Sequence, residues 1–353
     1  MNKKLIVTIS IIVLILIGYY FRYTPFFYIQ KFYDYRINKC IKTGKFLDAE
    51  KLYGKKLHFC LSTYDKEMTI KSFIRFCVNQ RIYLKAEELY LLKLNSNMFH
   101  SVYGSSNIGL ELNKANIYNE MSGLYINMNN FKKADELSNK ALQEIKNSKT
   151  TDKSILGEKL NITYKNLGYI NLKSGNLTKA KKYFDMIKKT SIEYGMYQQN
   201  GEEALFDYYA ALMLYYFKIK DYNNAEGYAK KLYISTPKTV LPEDTEWLLQ
   251  SRYLIFINQN LGKIYYAQRR YKDSERAFSI SYKISNELNG EYSPDTVCNA
   301  YYLDTTYKAQ NRNRLHQQFI KKTKQNIKNF KTMQNTNPEN FEKDMDRFCE
   351  FWR

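Results

Sequence analysis

Two stretches of the sequence match each other at fixed positions, and this match limits the chain to folds that are built from repeated units. The stretches are NLGYINLKSGNLTKAKKYF (166–184) and NLGKIYYAQRRYKDSERAF (260–278). Each begins with Asn-Leu-Gly, and each then has a large residue eleven positions on, a small residue fourteen positions on and Phe eighteen positions on. Agreement along the whole length of two stretches indicates an internal repeat.

The same pattern recurs along most of the chain. A large residue three positions before a small one appears six times, and successive copies are 37, 48, 46, 45 and 49 residues apart. Polar residues come shortly before the large one, as expected of a turn. The six pairs are Phe46/Ala49, Tyr83/Ala86, Phe131/Ala134, Leu177/Ala180, Tyr222/Ala225 and Tyr271/Ser274.

Each copy is predicted to be a helix, a short turn and a second helix. Small residues allow the two helices to approach closely, and the large side chains fill the space towards the next pair. A single helical hairpin cannot bury its apolar face, whereas stacked hairpins can. Glycine (14) and proline (5) are scarce, which argues against a β-rich fold. We therefore predict an all-α chain, with an α-solenoid of about six to seven units over residues 31–330.

These residues resemble the tetratricopeptide repeat family. The family's pattern of an aromatic residue, Leu-Gly, a second aromatic before a small residue, and Phe is met in the fourth copy and again in the sixth. The intervals exceed the family's usual length of about 34 residues, which implies longer helices or longer loops between units. The matching residues are Tyr164, Leu167, Gly168, Leu177, Ala180 and Phe184 in the fourth copy, and Leu261, Gly262, Tyr265, Tyr271 and Phe278 in the sixth.

The resemblance implies a function as well as a fold. Members of this family bind a peptide or helix of a protein partner in a concave groove, which is lined by the first helix of each unit. The family's clamp for a terminal carboxylate, a Lys four residues before an Asn, is absent, because Tyr169 follows Lys165 at that spacing. An ordinary solvated surface is the alternative for the same positions. The groove positions implied by the resemblance are Asn119, Asn127, Lys165, Tyr169, Lys173, Gln259, Lys263 and Tyr266.

The N-terminal sequence predicts a membrane anchor. A basic tail (1–4) precedes an apolar run (5–21), and the juxtamembrane segment that follows (22–30) is rich in aromatic and basic residues. As a helix the run would be about 25 Å long, at the short end of what crosses a bilayer. A cleaved signal peptide is the alternative, but the small residues that a cleavage site needs are missing. We expect a single-pass, uncleaved signal-anchor that contacts the lipid bilayer through residues 5–21.

The side of the membrane that carries the body is predicted from the charges around the apolar run. Basic residues occur on both sides of the apolar run, so the positive-inside rule is close to a tie. A short basic tail before the first hydrophobic segment usually stays in the cytoplasm, and a long domain after it can be translocated despite its charges. We expect an extracytoplasmic body, with a cytoplasmic body as the alternative.

The net charge of +20 raises a second candidate function. A basic surface, including the Lys- and Arg-rich segment 311–331, would suit an anionic polymer, nucleic acid or an anionic membrane surface. Lysine is spread along the chain, however, which is typical of a general compositional bias. We therefore predict a protein partner and regard nucleic acid as the less favoured one.

The C-terminal segment 338–353 is predicted to be an amphipathic helix that caps the array. Its large apolar residues fall on one helical stripe, and a solenoid leaves its last apolar face exposed unless a cap covers it. A helix that docks onto a partner is the alternative. Upstream, Ser293-Pro294-Asp295 predicts a helix start with Ser293 as the N-cap. The stripe consists of Phe341, Met345, Phe348 and Trp352.

The sequence contains no recognisable motif for catalysis, metal binding or a cofactor. Its three His residues have no motif spacing, and its five Cys residues include no CxxC pair. Neither a Gly-rich phosphate loop nor a nucleophile elbow occurs. We predict that the protein is not an enzyme and that it holds no metal ion and no cofactor.

Overall fold

The computed structural model describes residues 27–60, 62–95, 109–236, 243–312, 314–315, 317 and 349, and these residues form helices and turns without any strand. This confirms the all-α prediction for the described part of the chain. The helices are α1 (27–42), α2 (Phe46–His58), α3 (Thr63–Asn79), α4 (Tyr83–Asn95), α5 (Leu110–Asn127), α6 (Phe131–Asn147), α7 (Lys153–Lys173), α8 (Leu177–Glu193), α9 (Met196–Asn200), α10 (Phe206–Lys218), α11 (Tyr222–Ile234), α12 (Glu243–Ala267), α13 (Tyr271–Asn289) and α14 (Pro294–Ala309).

The predicted anchor lies outside the described residues, as do its basic tail and nearly all of the predicted capping helix. None of the helices that the structure describes is both long enough and apolar enough to span a bilayer. Residues 27–30, which were assigned to the juxtamembrane segment, are already helical and continue into α1. Gln30 there donates a hydrogen bond to the main-chain oxygen of Phe59, which ties α1 to the end of α2.

The predicted repeat register is confirmed at every copy. The second helix of each hairpin begins at the large residue of the pattern, from Phe46 for α2 to Tyr271 for α13. The small residue three positions later is fully buried in all six hairpins. The hairpins are α1–α2, α3–α4, α5–α6, α7–α8, α10–α11 and α12–α13, and α14 follows as the first helix of a further unit.

All six turns share one backbone conformation. The residue two positions before the second helix has a positive φ, whether it is glycine, as at Gly175, or not, as at Lys220. The next residue donates to a carbonyl five positions back, for example Asn176 N to Asn171 O at 2.8 Å, which satisfies a free carbonyl at the end of the first helix. The positive-φ residues are Gly44, Arg81, Asn129, Gly175, Lys220 and Arg269.

The repeat interval is long for both of the reasons that the sequence left open. Several helices are extended, with 21 residues in α7 and 25 in α12. In addition, α9 and a 3-10 turn (Gly201–Leu205) are inserted between α8 and α10. Gly195 and Gly201, both with positive φ, bracket α9, and Met196 is buried. Burial of this methionine explains why the polar segment is ordered as a short helix.

The array curves until its beginning touches its end. Val297 and Cys298 of α14 share one apolar core with residues of α1 to α6. A Cβ atom placed on Gly44, in the α1–α2 turn, would lie 2.9 Å from the ring of Tyr292, in the α13–α14 turn. The predicted helix start at Ser293 is confirmed, because its hydroxyl accepts from Thr296 N. The first hairpins therefore pack against α14.

One residue of the predicted C-terminal cap is described. Cys349 is helical and buried, and its main-chain oxygen accepts a hydrogen bond of 2.8 Å from the hydroxyl of Tyr302 on α14. The stripe residues themselves lie outside the described part, so their role as a cap stays a prediction.

Candidate functional site

The first helices of several successive hairpins line a groove of about 810 Å3. Its lining comes mainly from α5, α7 and α10, each the first helix of its hairpin, and α3, α4 and α11 contribute one residue each. We call this space the inner groove. Its floor is apolar, and it is formed by Leu124, Ile126, Leu172, Leu214 and Phe217.

Three residues that the sequence assigned to the groove meet there: Asn127, Tyr169 and Lys173. Tyr169 and Lys173 are four positions apart on α7, so they lie on one helical face. The Tyr169 ring packs edge-on against Phe184 at a centroid distance of 5.6 Å. Burial raises the pKa of Tyr169, so its hydroxyl is neutral at physiological pH and can donate a hydrogen bond.

The charges around the inner groove are unequal. Lys173, Lys218 and Lys220 line it, whereas Glu120 is the acidic residue of its lining. Lys218 ends α10, and Lys220 is the positive-φ residue of the turn that follows, so both project from one end of the α10–α11 hairpin. The groove thus combines an apolar floor with a basic border.

Four other predicted groove residues contact neighbouring helices instead. Lys165 forms an ion pair of 2.9 Å with Asp207, which links α7 to α10. Asn119 is buried, and its side-chain amide donates to Lys159 O at 3.4 Å. The remaining two pack on aromatic rings: the Lys263 ammonium lies 4.7 Å from the centroid of Tyr302, and Tyr266 packs edge-on against Tyr271.

Gln259, the eighth predicted residue, lines a different cavity, next to α3 and α14. The eight positions therefore do not form one site, although each lies on a first helix as the resemblance implied. Their roles in partner binding stay predictions.

Several groove residues were not found from the sequence. Tyr90 and Tyr222 belong to second helices, where the resemblance places core residues and no groove. Phe217 and Lys218 belong to α10, whose sequence FDYYAALMLYYFK is apolar on nearly every face, so its pattern does not identify the inner side. Only the packing of α10 against α7 and α8 identifies that side.

No group of three or more His, Cys, Asp or Glu side chains within the described ranges is close enough to bind a metal ion.

Comparisons with known proteins give information on the fold alone. No protein-family model matches the chain, and no curated protein matches it. A signal transduction ATPase with numerous domains from Pyrococcus horikoshii, described as having a tetratricopeptide repeat sensor, superposes with a TM-score of 0.50 at 18% identity. This match covers 91% of the present chain and 42% of that chain, so the present chain spans less than half of its length.

Two further solved structures are similar at lower TM-scores. BtubC (BKLC) from P. vanneervenii superposes with a TM-score of 0.49 at 17% identity, over 74% of this chain and 93% of that chain. Kinesin light chain TPR-like repeats from Podosopora anserina superpose with a TM-score of 0.41 at 11% identity, over 65% of this chain and 100% of that chain. The likeness to the tetratricopeptide repeat sensor, together with the observed hairpins, confirms a tetratricopeptide-like α-solenoid.

Proposed function

We propose that this chain is a membrane-anchored scaffold, without catalytic activity, that binds an acidic, amphipathic segment of a protein partner in the inner groove. The observation that carries the proposal is the combination of an apolar floor with three lysines around it. A partner segment with apolar side chains on one face would bury them on this floor, and its carboxylates would face Lys173, Lys218 and Lys220.

Most of the binding free energy would come from the floor and little from the lysines. Exposed ion pairs contribute about 0–1 kcal/mol each, whereas buried apolar area contributes about 25 cal/mol per Å2. The lysines would chiefly select acidic segments and speed association. We therefore expect binding to the inner groove to weaken only moderately with salt, whereas binding of a polyanion to a diffuse basic surface would weaken steeply.

A glycine in the groove allows a direct test. Gly123 on α5 lines the inner groove, and a Cβ atom there would meet no neighbour within 4 Å. We expect Gly123→Trp to fill the groove while it leaves the fold intact. Gly227→Trp on α11 is the matched control, because its Cβ atom also meets no neighbour and it does not line the groove.

The experiment selects peptides from a random library on the full-length protein in detergent and measures their affinities for both variants. Acidic, amphipathic peptides should be enriched, should lose at least tenfold in affinity with Gly123→Trp and should bind Gly227→Trp as they bind the parent protein. Peptides that bind both tryptophan variants equally well would exclude the inner groove. Affinity for a DNA oligonucleotide or heparin that falls steeply with salt, without any peptide binding, would favour the basic-surface alternative.

The anchor is proposed from residues 5–21 and is tested separately. The protein should stay in the membrane fraction after alkaline carbonate washing, and its N-terminal sequence should begin before residue 21. A mature N-terminus beyond that point would mean a cleaved signal peptide. Protease treatment of intact cells would then distinguish the favoured extracytoplasmic body, which is accessible, from a cytoplasmic one, which is protected.

A further inference from the structure

A second cavity lies where the beginning of the array meets its end. It has a volume of about 260 Å3 and adjoins a smaller space of about 190 Å3. The two share four lining residues, Asn79, Arg252, Asn289 and Asp295. We call the two spaces together the closure cavity. Its walls come from α1, α2 and α3 on one side and from α12, α13 and α14 on the other.

The closure cavity holds more positive than negative charge. Arg75 of α3 and Arg252 of α12 both line it, and neither guanidinium has a hydrogen bond or an ion pair with the residues that the structure describes. They are close enough for their charges to repel: the pKa of Arg252 is lowered by burial and further by Arg75. Asp295 is the acidic residue of the lining, and Arg81, in the α3–α4 turn, also acts on it.

Asp295 neutralises only part of this charge. Burial raises the pKa of its carboxyl group, and the charges of Arg81 and Arg252 oppose that rise. Arg81 itself approaches Cys298, with its Nη2 at 3.8 Å from Sγ. Two guanidinium groups, those of Arg75 and Arg252, therefore line a space in which Asp295 is the acidic residue, and this leaves an excess of positive charge there. Such a space attracts an anion because the protein screens the positive charges less than open water would.

A buried donor in the same cavity is unsatisfied. Gln259 is 2% exposed, lines the smaller space, and its Nε2 has no hydrogen-bond partner in the described part of the chain. Buried polar groups are nearly always paired, so an unpaired donor on a residue that lines a cavity points to a missing acceptor. An anionic oxygen would accept a hydrogen bond from this donor. Its negative charge would also offset the repulsion between Arg75 and Arg252.

We infer that the closure cavity binds a small oxyanion, a carboxylate or phosphate group of a small molecule, between the guanidinium groups of Arg75 and Arg252 with Gln259 Nε2 as a third donor. Guanidinium groups suit this role because their N–H donors match two oxygens of one carboxylate or phosphate. The site is separate from the inner groove, and the inference does not depend on a peptide partner.

Binding at this place would have a structural consequence. Arg75 belongs to the second hairpin, whereas Arg252 and Gln259 belong to the sixth. A ligand held by both would hold the two ends of the array together. A ligand that binds only the closed array stabilises it according to its concentration relative to Kd. The oxyanion would thus control how tightly the ring closes.

The test uses the full-length protein in detergent with inorganic phosphate, citrate or potassium chloride at matched ionic strength. Phosphate or citrate should raise the Tm and bind with a measurable Kd by calorimetry, whereas chloride should not. Arg75→Gln and Arg252→Gln should each weaken that binding at least tenfold, and Gln259→Leu should weaken it severalfold. Arg276→Gln on α13 is the control, because Arg276 is exposed as Arg75 and Arg252 are but does not line the closure cavity, and it should bind as the parent does.

A second readout separates loss of the site from loss of folding. Because Arg75 and Arg252 repel each other, Arg252→Gln should keep or raise the Tm without anion while it abolishes the rise on adding anion. The comparison of phosphate with citrate identifies the ligand's functional group. A rise in Tm with phosphate alone indicates a phosphate group, and a rise with citrate alone indicates a carboxylate. An equal rise in Tm for all variants, or none for any anion in the parent protein, would overturn the inference.

Discussion

At the scale of single residues, the contact between the two helices of a hairpin depends on matched volumes. The residue in the first helix and its partner sixteen positions later are both buried in all six hairpins, and in five of them a smaller residue on one side is matched by a larger one on the other. Where both are serines, their hydroxyls hydrogen-bond at 2.8 Å. The six pairs are Ile37/Tyr53, Ile74/Tyr90, Ser122/Ser138, Gly168/Phe184, Met213/Ala229 and Gly262/Phe278.

This matching predicts a large effect from a single methyl group. A Cβ atom on Gly168 would overlap the ring of Phe184, which is fully buried in α8. Gly168→Ala should therefore lower the free energy of unfolding by about 1–3 kcal/mol, although alanine favours helix more than glycine. Urea unfolding followed by circular dichroism measures the change.

Its control is Gly54→Ala in α2, where a Cβ atom meets no neighbour within 4 Å. That substitution should stabilise the protein by up to about 1 kcal/mol, because only the helix propensity changes. Equal effects at Gly54 and Gly168 would contradict the matched-volume account.

One carboxylate predicts a dependence of stability on pH. Glu87 of α4 accepts hydrogen bonds from the hydroxyl of Tyr125 and, at 3.0 Å, from the ammonium of Lys133, so it links three helices. The Tyr125 hydrogen bond, followed by Lys133, lowers the pKa of Glu87 below its ordinary value of 4.5. Because the folded-state pKa is the lower one, this stabilisation is present above pH 4.5 and is lost as the pH falls through the folded-state pKa.

The free energy of unfolding, measured between pH 7 and pH 3, should therefore fall less steeply for Glu87→Gln than for the parent protein below about pH 4.5. Glu136→Gln, an exposed carboxylate on α6, is the control and should follow the parent curve. Parallel curves for Glu87→Gln and the parent would mean that the network does not stabilise the fold.

At the scale of helices and turns, a residue with a positive φ follows the first helix in all six hairpins. In this conformation a residue with a Cβ atom is less stable than glycine by about 1–2 kcal/mol. Glycine recovers only part of that difference, because it loses more conformational freedom than other residues when the chain folds. Arg269→Gly in the α12–α13 turn (φ 60°) should stabilise the protein by about 0.5–1 kcal/mol. Gly175→Ala, at the same place in the α7–α8 turn, should destabilise it.

Thermal unfolding of both variants measures this effect, and Arg269→Ala separates the backbone from the side chain. It keeps the Cβ atom and should leave the stability within about 0.5 kcal/mol of the parent. If Arg269→Ala stabilised as much as Arg269→Gly, the removed charge rather than the backbone conformation would be responsible.

The helices could largely be predicted from the sequence, because each hairpin repeats one local rule. The large residue marks the start of a second helix, and the small residue after it is always buried, so the pattern at Phe46 predicts the one at Tyr271 as well. The rule says nothing about segments between units. The helix α9 was missed because its order depends on burial of Met196 near Gly157 of α7, a contact that no local pattern reveals.

At the scale of the whole molecule, sequence reasoning located the groove helices but neither of the two cavities. The inner groove depends on the rotation of each hairpin relative to the one before it, which brings Phe217 and Tyr169 into the same lining. The closure cavity depends on the sum of all these rotations, which brings Arg252 to Arg75 across more than half of the chain. Small differences in packing angle accumulate along a solenoid, so its curvature cannot be derived from one unit.

Closure of the ring is itself testable, because the contact between the ends is small compared with the contacts within the array. Tyr292 fits against the Gly44 turn and packs on the core that α1 to α4 share with α14. Tyr292→Ala should lower the free energy of unfolding by about 1–2 kcal/mol, should increase the radius of gyration in small-angle scattering and should speed hydrogen exchange in α1 and α14. The helix content should stay the same, because each hairpin is held by its immediate neighbours. Tyr64→Ala, an exposed aromatic residue at the start of α3, should change none of these quantities. A scattering curve for Tyr292→Ala that superposes on the parent curve would mean that the ends stay together without this contact, and that the curvature is fixed within the hairpin stack.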